Sequence, residues 1–326
     1  MIDFERRRFL VVTAAGALAA PAFAQDASQP SPKRPSYWPT TPPSPPDSVI
    51  PLWPFTPPGG GGRASVQTEP LFSSAVTQNI DAPALGFYRP KAANGDAVVI
   101  CPGGGYSAQS TTFEGSAPAL RLNAEGVTAF VLSYRLPAEG WADRPGVPLQ
   151  DLQRAIRLVR SRAAEWGVNP SRVGVLGFSA GGHLAATLAN RFSEPTYRFV
   201  DVVDDQETRP AFAGLIYPVI TMMPPYAYAP GVPLLLGDDP TDDLRRSRSN
   251  ELLVTSGTPP CFIAHGTDDA LVPVENSLMM MHALRDKKIP FDAHLFQEGR
   301  HGFGLGTPGQ PNAEWPDLFV RWLRRL

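Results

Sequence analysis

The sequence predicts an α/β fold: a mostly parallel central sheet with helices on both faces. Three observations carry this. Short continuous apolar runs such as Ala97 to Cys101, "AVVIC", lack polar alternation, as strands buried on both sides do. These runs alternate with longer stretches whose apolar residues recur at helical spacing. One junction, "VGVLGFSAGGHLAATLA", passes from strand to helix through a Gly-x-Ser-x-Gly turn centred on Ser179.

The elements follow in chain order. Residues 1–24 pair consecutive arginines with an apolar run too short to span a bilayer and end Ala22-Phe23-Ala24, a pattern of export signal and cleavage site. Arg6-Arg7-x-Phe9-Leu10 resembles the twin-arginine signature, so the expected location is periplasmic or secreted. Residues 25–64 form a Pro/Gly-rich leader that holds much of the chain's 37 prolines and offers few chances for a helix or a paired strand. Tyr37, Trp38, Trp53 and Phe55 are candidates to dock it on the remainder, residues 65–326, which are read as the catalytic domain.

Within that domain Gln78 to Ile80 and Leu85 to Tyr88 read as a hairpin turning at Asp81-Ala82-Pro83. Strands follow at Ala97 to Cys101, Val127 to Ser133, Val173 to Leu176, Phe212 to Tyr217, Cys261 to His265 and Phe291 to Phe296. Helices are expected at Ala117 to Glu125, Asp151 to Trp166, after Ser179, at Glu275 to Lys287 and at Trp315 to Leu326. The Pro218 to Gly237 segment is short and proline-rich, so any cap over the sheet is small.

The chemistry is read from what surrounds Ser179. A serine hydroxyl is a weak nucleophile until a positioned base takes its proton, and the base needs a third group to orient it. In folds built round such a turn the chain order is Ser, acid, His. Of the five histidines, His183 lies on the helix behind the serine, His265 precedes the acid, His282 falls in a Met-rich helix and His294 sits inside a strand. His301, in the loop "EGRHGFG" after the last strand, is the candidate base. Asp268 and Asp269 share the loop "HGTDDALVP"; Asp269 is preferred as the acid, with Asp268 left open as the alternative or a turn cap. The run "CPGGGYS" lets backbone amides approach a reacting carbonyl, so Gly104 and Gly105, with Ala180 after the serine, are the candidate oxyanion donors. Tyr106, Trp141, Tyr226 and Tyr228 are candidate aromatic walls for a substrate.

Other classes fit less well. A net charge of -2 argues against a nucleic-acid partner or an anionic membrane surface. The glycine run lacks the Gly-Lys-Ser/Thr of a phosphate loop and the dinucleotide spacing, and there is no H-x-x-H or H-E-x-x-H pair, so no metal or cofactor is expected. Glu114, Glu139 and Asp143 are carboxylates on paper for a glycosidase, but nothing in the pattern arranges them as a pair.

With these residues in hand, "CPGGGY", "EGVTAFVLSYRLP", "DLQRAIRLVRSRAAEWGVNPSRVGVLGFSAGGHLAA", "PPCFIAHGTDDALVPVENS" and "EGRHGFG" resemble α/β-hydrolases of the acetylxylan-esterase and related carbohydrate-esterase group, whose members often carry a xylanase label. Pro102 stands where many members have the histidine of His-Gly-Gly-Gly. The resemblance implies an α/β-hydrolase fold with a small cap, and removal of acetyl groups from xylan or related polysaccharide through an acyl-enzyme on Ser179. The alternatives it leaves are a general short-chain carboxylesterase or a feruloyl esterase, then a glycosidase or serine peptidase. It also places the Cys101 strand centrally and the Cys261 strand toward the sheet edge, too far apart to pair.

Overall fold

The computed structural model describes residues 43–61, 67 and 69–326; the expected export signal and the first part of the leader, with Tyr37 and Trp38, lie outside them. The apolar runs become β2 (Ala84–Tyr88), β3 (Ala97–Cys101), β4 (Thr128–Ser133), β5 (Val173–Phe178), β6 (Ala213–Ile216), β7 (Cys261–Gly266) and β8 (Phe291–Phe296). With β1 (Ser48–Pro51) they form one sheet, in the order β1-β2-β4-β3-β5-β6-β7-β8. The pairings β1 with β2 and β2 with β4 are antiparallel; from β4 to β8 every pairing is parallel.

The helices are α1 (Ala117–Asn123), α2 (Val147–Ser161), α3 (Ser179–Arg191), α4 (Gly231–Leu236), α5 (Asp242–Arg246), α6 (Glu275–Asp286) and α7 (Trp315–Leu323). Successive strand side chains point to opposite faces. Val99 and Cys101 therefore share one cluster with Leu152, Leu184 and Met280 of α2, α3 and α6. Val98 and Ile100 share a second cluster with Leu122 of α1 and Phe319 and Trp322 of α7. Two covered faces explain why "AVVIC" shows no polar alternation. Between β6 and β7 stand only α4, α5 and a short turn at Asn250–Leu252; α4 buries Val232 and Leu235, so the cap is small.

Two local expectations need correction. Gln78 to Ile80 is not a strand, and β2 pairs instead with β1, which comes from the segment expected to offer few chances for a paired strand. Pro51 is tolerated there because β1 is the sheet edge, where one row of amides needs no partner. The long helix also starts earlier than the apolar face indicated, at Val147, with Pro148 in its first turn where a missing amide costs nothing. It ends at Ser161, and a tighter turn at Ala163–Trp166 finishes the element.

The described part of the leader is fastened by a buried charge knot. Trp53 is buried while Phe55 is 82% exposed, so of the two docking aromatics among the described residues one serves and the other does not. Trp53 Nε1 donates to Asp151 Oδ1 at 2.9 Å, and the same carboxylate receives Arg135 through its backbone amide (2.9 Å), Nε and Nη2 (2.8 Å). The Asp151 and Arg135 side chains have no solvent exposure. Arg135 Nη1 also donates to the carbonyl of Pro58. Replacing Asp151 with alanine leaves a buried guanidinium and an indole N–H without their acceptor. We expect Asp151→Ala to lose about 3–5 kcal/mol in urea unfolding; a loss below 1 kcal/mol would mean that water reaches the knot.

The sheet order also bears on the two cysteines. Between β3, which ends in Cys101, and β7, which begins with Cys261, lie β5 and β6. Three interstrand spacings put roughly 14 Å between the backbones, whereas a disulfide spans Cα atoms no more than about 7 Å apart. Both thiols are buried, and burial pushes that of Cys261 up to about 12. Thiol titration of the unfolded protein without reductant should count two free groups; an intramolecular Cys101–Cys261 peptide in mass spectrometry would contradict this strand order.

Candidate active site

The carboxyl ends of the parallel strands carry the site. Ser179 follows β5 and opens α3 with φ of 52°, a left-handed conformation that costs a non-glycine residue roughly 1–3 kcal/mol. The glycines two positions either side make this turn possible by their lack of bulk. A Cβ on Gly177 would lie 2.1 Å from the carbonyl oxygen of Gly181, and one on Gly181 would lie 2.0 Å from that of Cys101. The motif therefore packs three backbones together and leaves the serine side chain at the end of the central strand.

The structure brings the three expected residues together. Ser179 Oγ is 2.8 Å from His301 Nε2, and His301 Nδ1 is 2.7 Å from Asp269 Oδ2. Asp269 Oδ1 accepts the amides of Leu271 and Val272, each at 2.9 Å. Burial alone would raise the Asp269 carboxyl, but the bonds from His265 and His301, the His301 charge and the Val272 amide outweigh it and hold it well below the ordinary carboxylate range. It therefore stays ionised and faces Nδ1, leaving Nε2 for the serine.

Asp268 has a different task. Its side chain points away, and Oδ1 accepts the amides of Gly299 and Arg300 at 2.8 Å each, stitching down the loop that carries His301. His265, set aside because it precedes the acid, supports it: Nε2 lies 3.2 Å from Asp269 Oδ2 and 3.1 Å from the Val272 carbonyl, and Nδ1 2.7 Å from Ser277 Oγ. The two acceptors at Nε2 require the proton there, so Ser277 donates to Nδ1. His183 is structural, as expected: Nε2 donates to the carbonyl of Arg248 and Nδ1 accepts from Tyr106, both at 2.8 Å, and burial lowers its pKa to about 4.

The glycine loop runs beside the serine. A Cβ on Gly103 would sit 2.8 Å from that of Ser179, and Gly104 has φ of 135° with space for no side chain. The amide of Gly103 is committed to Glu114 Oε2 at 2.8 Å. Gly104 and Gly105 continue the loop, and Ala180 lies in the first turn of α3, whose start has no side-chain cap. Amides in a helix's first turn have no intrahelical acceptor and carry the positive end of its dipole, which suits a developing oxyanion.

The aromatic candidates divide. Tyr106 is corrected: with φ of 64° its ring turns inward, is 3% exposed, and spends its hydroxyl on His183. Trp141 is a loop anchor, its ring 4.9 Å from the Arg135 guanidinium carbon and its backbone bridged to Gly61. Tyr228 lies against the glycine loop, 3.2 Å from where a Cβ on Gly105 would stand. Tyr226 is exposed near it, its carbonyl held by Asn276. Sequence reasoning missed Tyr217, whose ring meets that of His301 edge-on at 5.2 Å, and weighed the buried Glu114 only as a carboxylate for a glycosidase. The signal for Tyr217 was its place at the end of the strand next to β5; Glu114 had none. Among the described residues no His/Cys/Asp/Glu group is arranged to hold a metal ion.

Residues 85–284 match the BD-FAE family model. The chain is 36% identical over 264 residues to an acetylxylan esterase of Xylanibacter ruminicola, covering 80% of this chain and 52% of that one. It is 38% identical over 217 residues to an endo-1,4-beta-xylanase B of Butyrivibrio fibrisolvens, covering 65% of this chain and 33% of that one. The chain thus spans a third to a half of these relatives' length. Among solved structures, an acetyl ester-xyloside bifunctional hydrolase from Caldicellulosiruptor lactoaceticus superimposes with a TM-score of 0.72 at 36% identity, covering 86% of this chain and 97% of that one. The architecture is the α/β-hydrolase fold.

The geometry separates the two neighbouring aspartates. Asp269→Asn should lower turnover of an activated ester by about 10⁴-fold, as an amide reverses the histidine tautomer. Asp268→Asn should cost far less, since one oxygen remains to accept the Gly299 and Arg300 amides. A larger loss at Asp268 would reverse the assignment.

Proposed function

The chain belongs to the BD-FAE family, and from that premise we propose a serine carboxylic-ester hydrolase that removes acetyl groups from xylan or a related plant polysaccharide. The observation that carries this is the unbroken hydrogen-bond chain Ser179–His301–Asp269 on a strained turn beside a glycine loop. In the proposed reaction Ser179 Oγ attacks the acetyl carbonyl carbon while His301 Nε2 takes its proton. The amides of Gly104, Gly105 and Ala180 receive the negative charge on the carbonyl oxygen. Collapse of this intermediate expels the sugar oxygen, which takes the proton from His301 to become a hydroxyl, and leaves acetyl-Ser179. Water, deprotonated by His301, then attacks the acyl carbon; acetate leaves and the serine regains its proton.

The acetyl preference is supported by the relative and structural neighbour whose names carry an acetyl ester, and by the small cap beside Tyr228. A glycosidase reading would need two carboxylates facing one bond. Here Glu114 is buried with both oxygens bonded, Glu139 accepts the amides of Asn79 and Ile80, and Asp143 accepts from Gln150. The proposal includes export, resting on the arginine pair and Ala22-Phe23-Ala24 outside the described residues.

A substrate panel tests the reading. The wild-type protein should release acetate from acetylated xylan and cleave p-nitrophenyl acetate much faster than the octanoate. Ser179→Ala should lose on the order of 10⁶-fold in kcat with its fold unchanged. Retained turnover in Ser179→Ala would remove the serine mechanism; faster octanoate cleavage would shift the reading to a general carboxylesterase, faster feruloyl-ester cleavage to a feruloyl esterase, and Ser179-independent xyloside cleavage to a glycosidase.

A further inference from the structure

Glu114 is a buried carboxyl, 5% exposed, that no step of the proposed reaction uses. Burying an ionisable group is costly, so its partners deserve a reason. It sits in a single π-helical turn, Thr112–Ser116, immediately before α1, a local irregularity that recurs at functional sites. Oε2 accepts the amide of Gly103 at 2.8 Å, and Oε1 accepts the hydroxyl of Tyr217 at 2.8 Å. That hydroxyl also receives the amide of Gly304 at 3.1 Å, three residues after His301. Tyr217 itself is held with φ of 36°, strained for an aromatic residue, and its ring packs edge-on against both His301 and Phe303.

We infer that Glu114 is a positioning residue that clamps the glycine loop to the histidine loop, one carboxyl oxygen holding Gly103 and the other holding Tyr217 against His301 and Gly304. The inference rests on the esterase reading for its catalytic consequence and on the contacts alone for its mechanical one. Gly103 directly precedes Gly104 and Gly105, so fixing its amide fixes the direction in which the next two point. Tyr217 bounds the imidazole ring on one side, while Asp269 holds its Nδ1. One side chain thereby sets the distance between the group that moves the proton and the amides that receive the charge. Every polar atom in the link is paired: the carboxyl accepts twice, and the phenol donates once and accepts once. Burial raises the Glu114 carboxyl, against the Tyr217 bond, the His301 charge and the Gly103 amide, which lower it. Tyr134, buried within electrostatic range of Glu114, donates its hydroxyl to the Pro102 carbonyl.

A clamp acts on the transition state more than on substrate binding, so its loss should lower kcat and spare KM. With enzyme counted by phosphonate titration of Ser179, Glu114→Gln should lower kcat for p-nitrophenyl acetate about 10-fold and Glu114→Ala about 100-fold, each with KM within about twofold. Tyr217→Phe should cost about 10-fold alone and add little to Glu114→Ala, because both cut one link. Unchanged kcat per titrated site with only a lower Tm would make Glu114 a structural carboxyl and overturn the inference, as would fully multiplicative losses. Amide hydrogen exchange of the folded variants decides the mechanical part without turnover. Glu114→Ala should lose protection together in residues 103–108 and 299–305. Loss confined to residues 111–123 overturns the clamp, whether or not the wild type cleaves esters; absence of Ser179-dependent cleavage in the wild type would instead overturn the esterase reading alone.

Discussion

The left-handed backbone at Ser179 is the constraint on which the rest of the site depends. A residue held there returns to a relaxed conformation unless its surroundings leave no room. Three backbones supply that enclosure: Gly177, Gly181 and the carbonyl end of β3 at Cys101 meet at distances that no Cβ could share. The enclosure in turn requires β3 and β5 to be adjacent and parallel, ending side by side, as their register from Ala97 and Val173 to Cys101 and Gly177 makes them. The glycine loop leaves β3 at that level and is pressed against the serine from the start. The strain at one residue and the order of the sheet are thus two statements of one requirement.

Around this fixed point the fold places two buried carboxyls in opposite surroundings. Asp269 accepts from two histidines and two amides, which more than offset its burial, so its charge is retained where an imidazolium needs a counterion. Glu114 is equally buried but has fewer donors, and its carboxyl is displaced upward. In the proposed reaction, placing the stronger charge on the far side of His301 from the glycine loop leaves the serine side free for negative charge to develop on the carbonyl oxygen. A fully charged carboxylate behind Gly103 would oppose that charge; a weakly acidic one can hold the loop with less electrostatic penalty.

Legibility in the sequence followed how local each determinant is. Ser179 and His301 were readable because a Gly-x-Ser-x-Gly turn and a chain order are properties of short stretches and their sequence. The choice between Asp268 and Asp269 was not settled by position, because neighbours in a turn point in different directions; two amides from the His301 loop claim one, and the imidazole claims the other. Tyr106 was misread because its left-handed φ turns the ring into the core, which no periodicity reports. Glu114 and Tyr217 stand 103 positions apart, so the bond between them exists only once β6 lies beside β5 and the turn before α1 folds over β3. The edge strand was hidden for a different reason: proline depletes strands in general, and only at an edge does the missing donor cost little.

That edge strand is connected to the site by more than the sheet. Trp53 and the Pro58 carbonyl fasten the leader to Asp151 and Arg135, and Arg135 directly follows Tyr134 at the end of β4. Tyr134 in turn donates to the carbonyl of Pro102, and its own carbonyl accepts from Gln109, so it grips the glycine loop at both ends. The loop is consequently tied on three sides: to α3 through Tyr106 and His183, to the histidine loop through Gly103 and Glu114, and to the leader through Tyr134 and the Arg135–Asp151 pair. A run of three glycines has great backbone freedom and loses much entropy on becoming ordered. The buried polar ties around it supply the order that the glycines themselves lack, which is why a leader that reads as a tether by composition reaches, through one ion pair, the wall of the site.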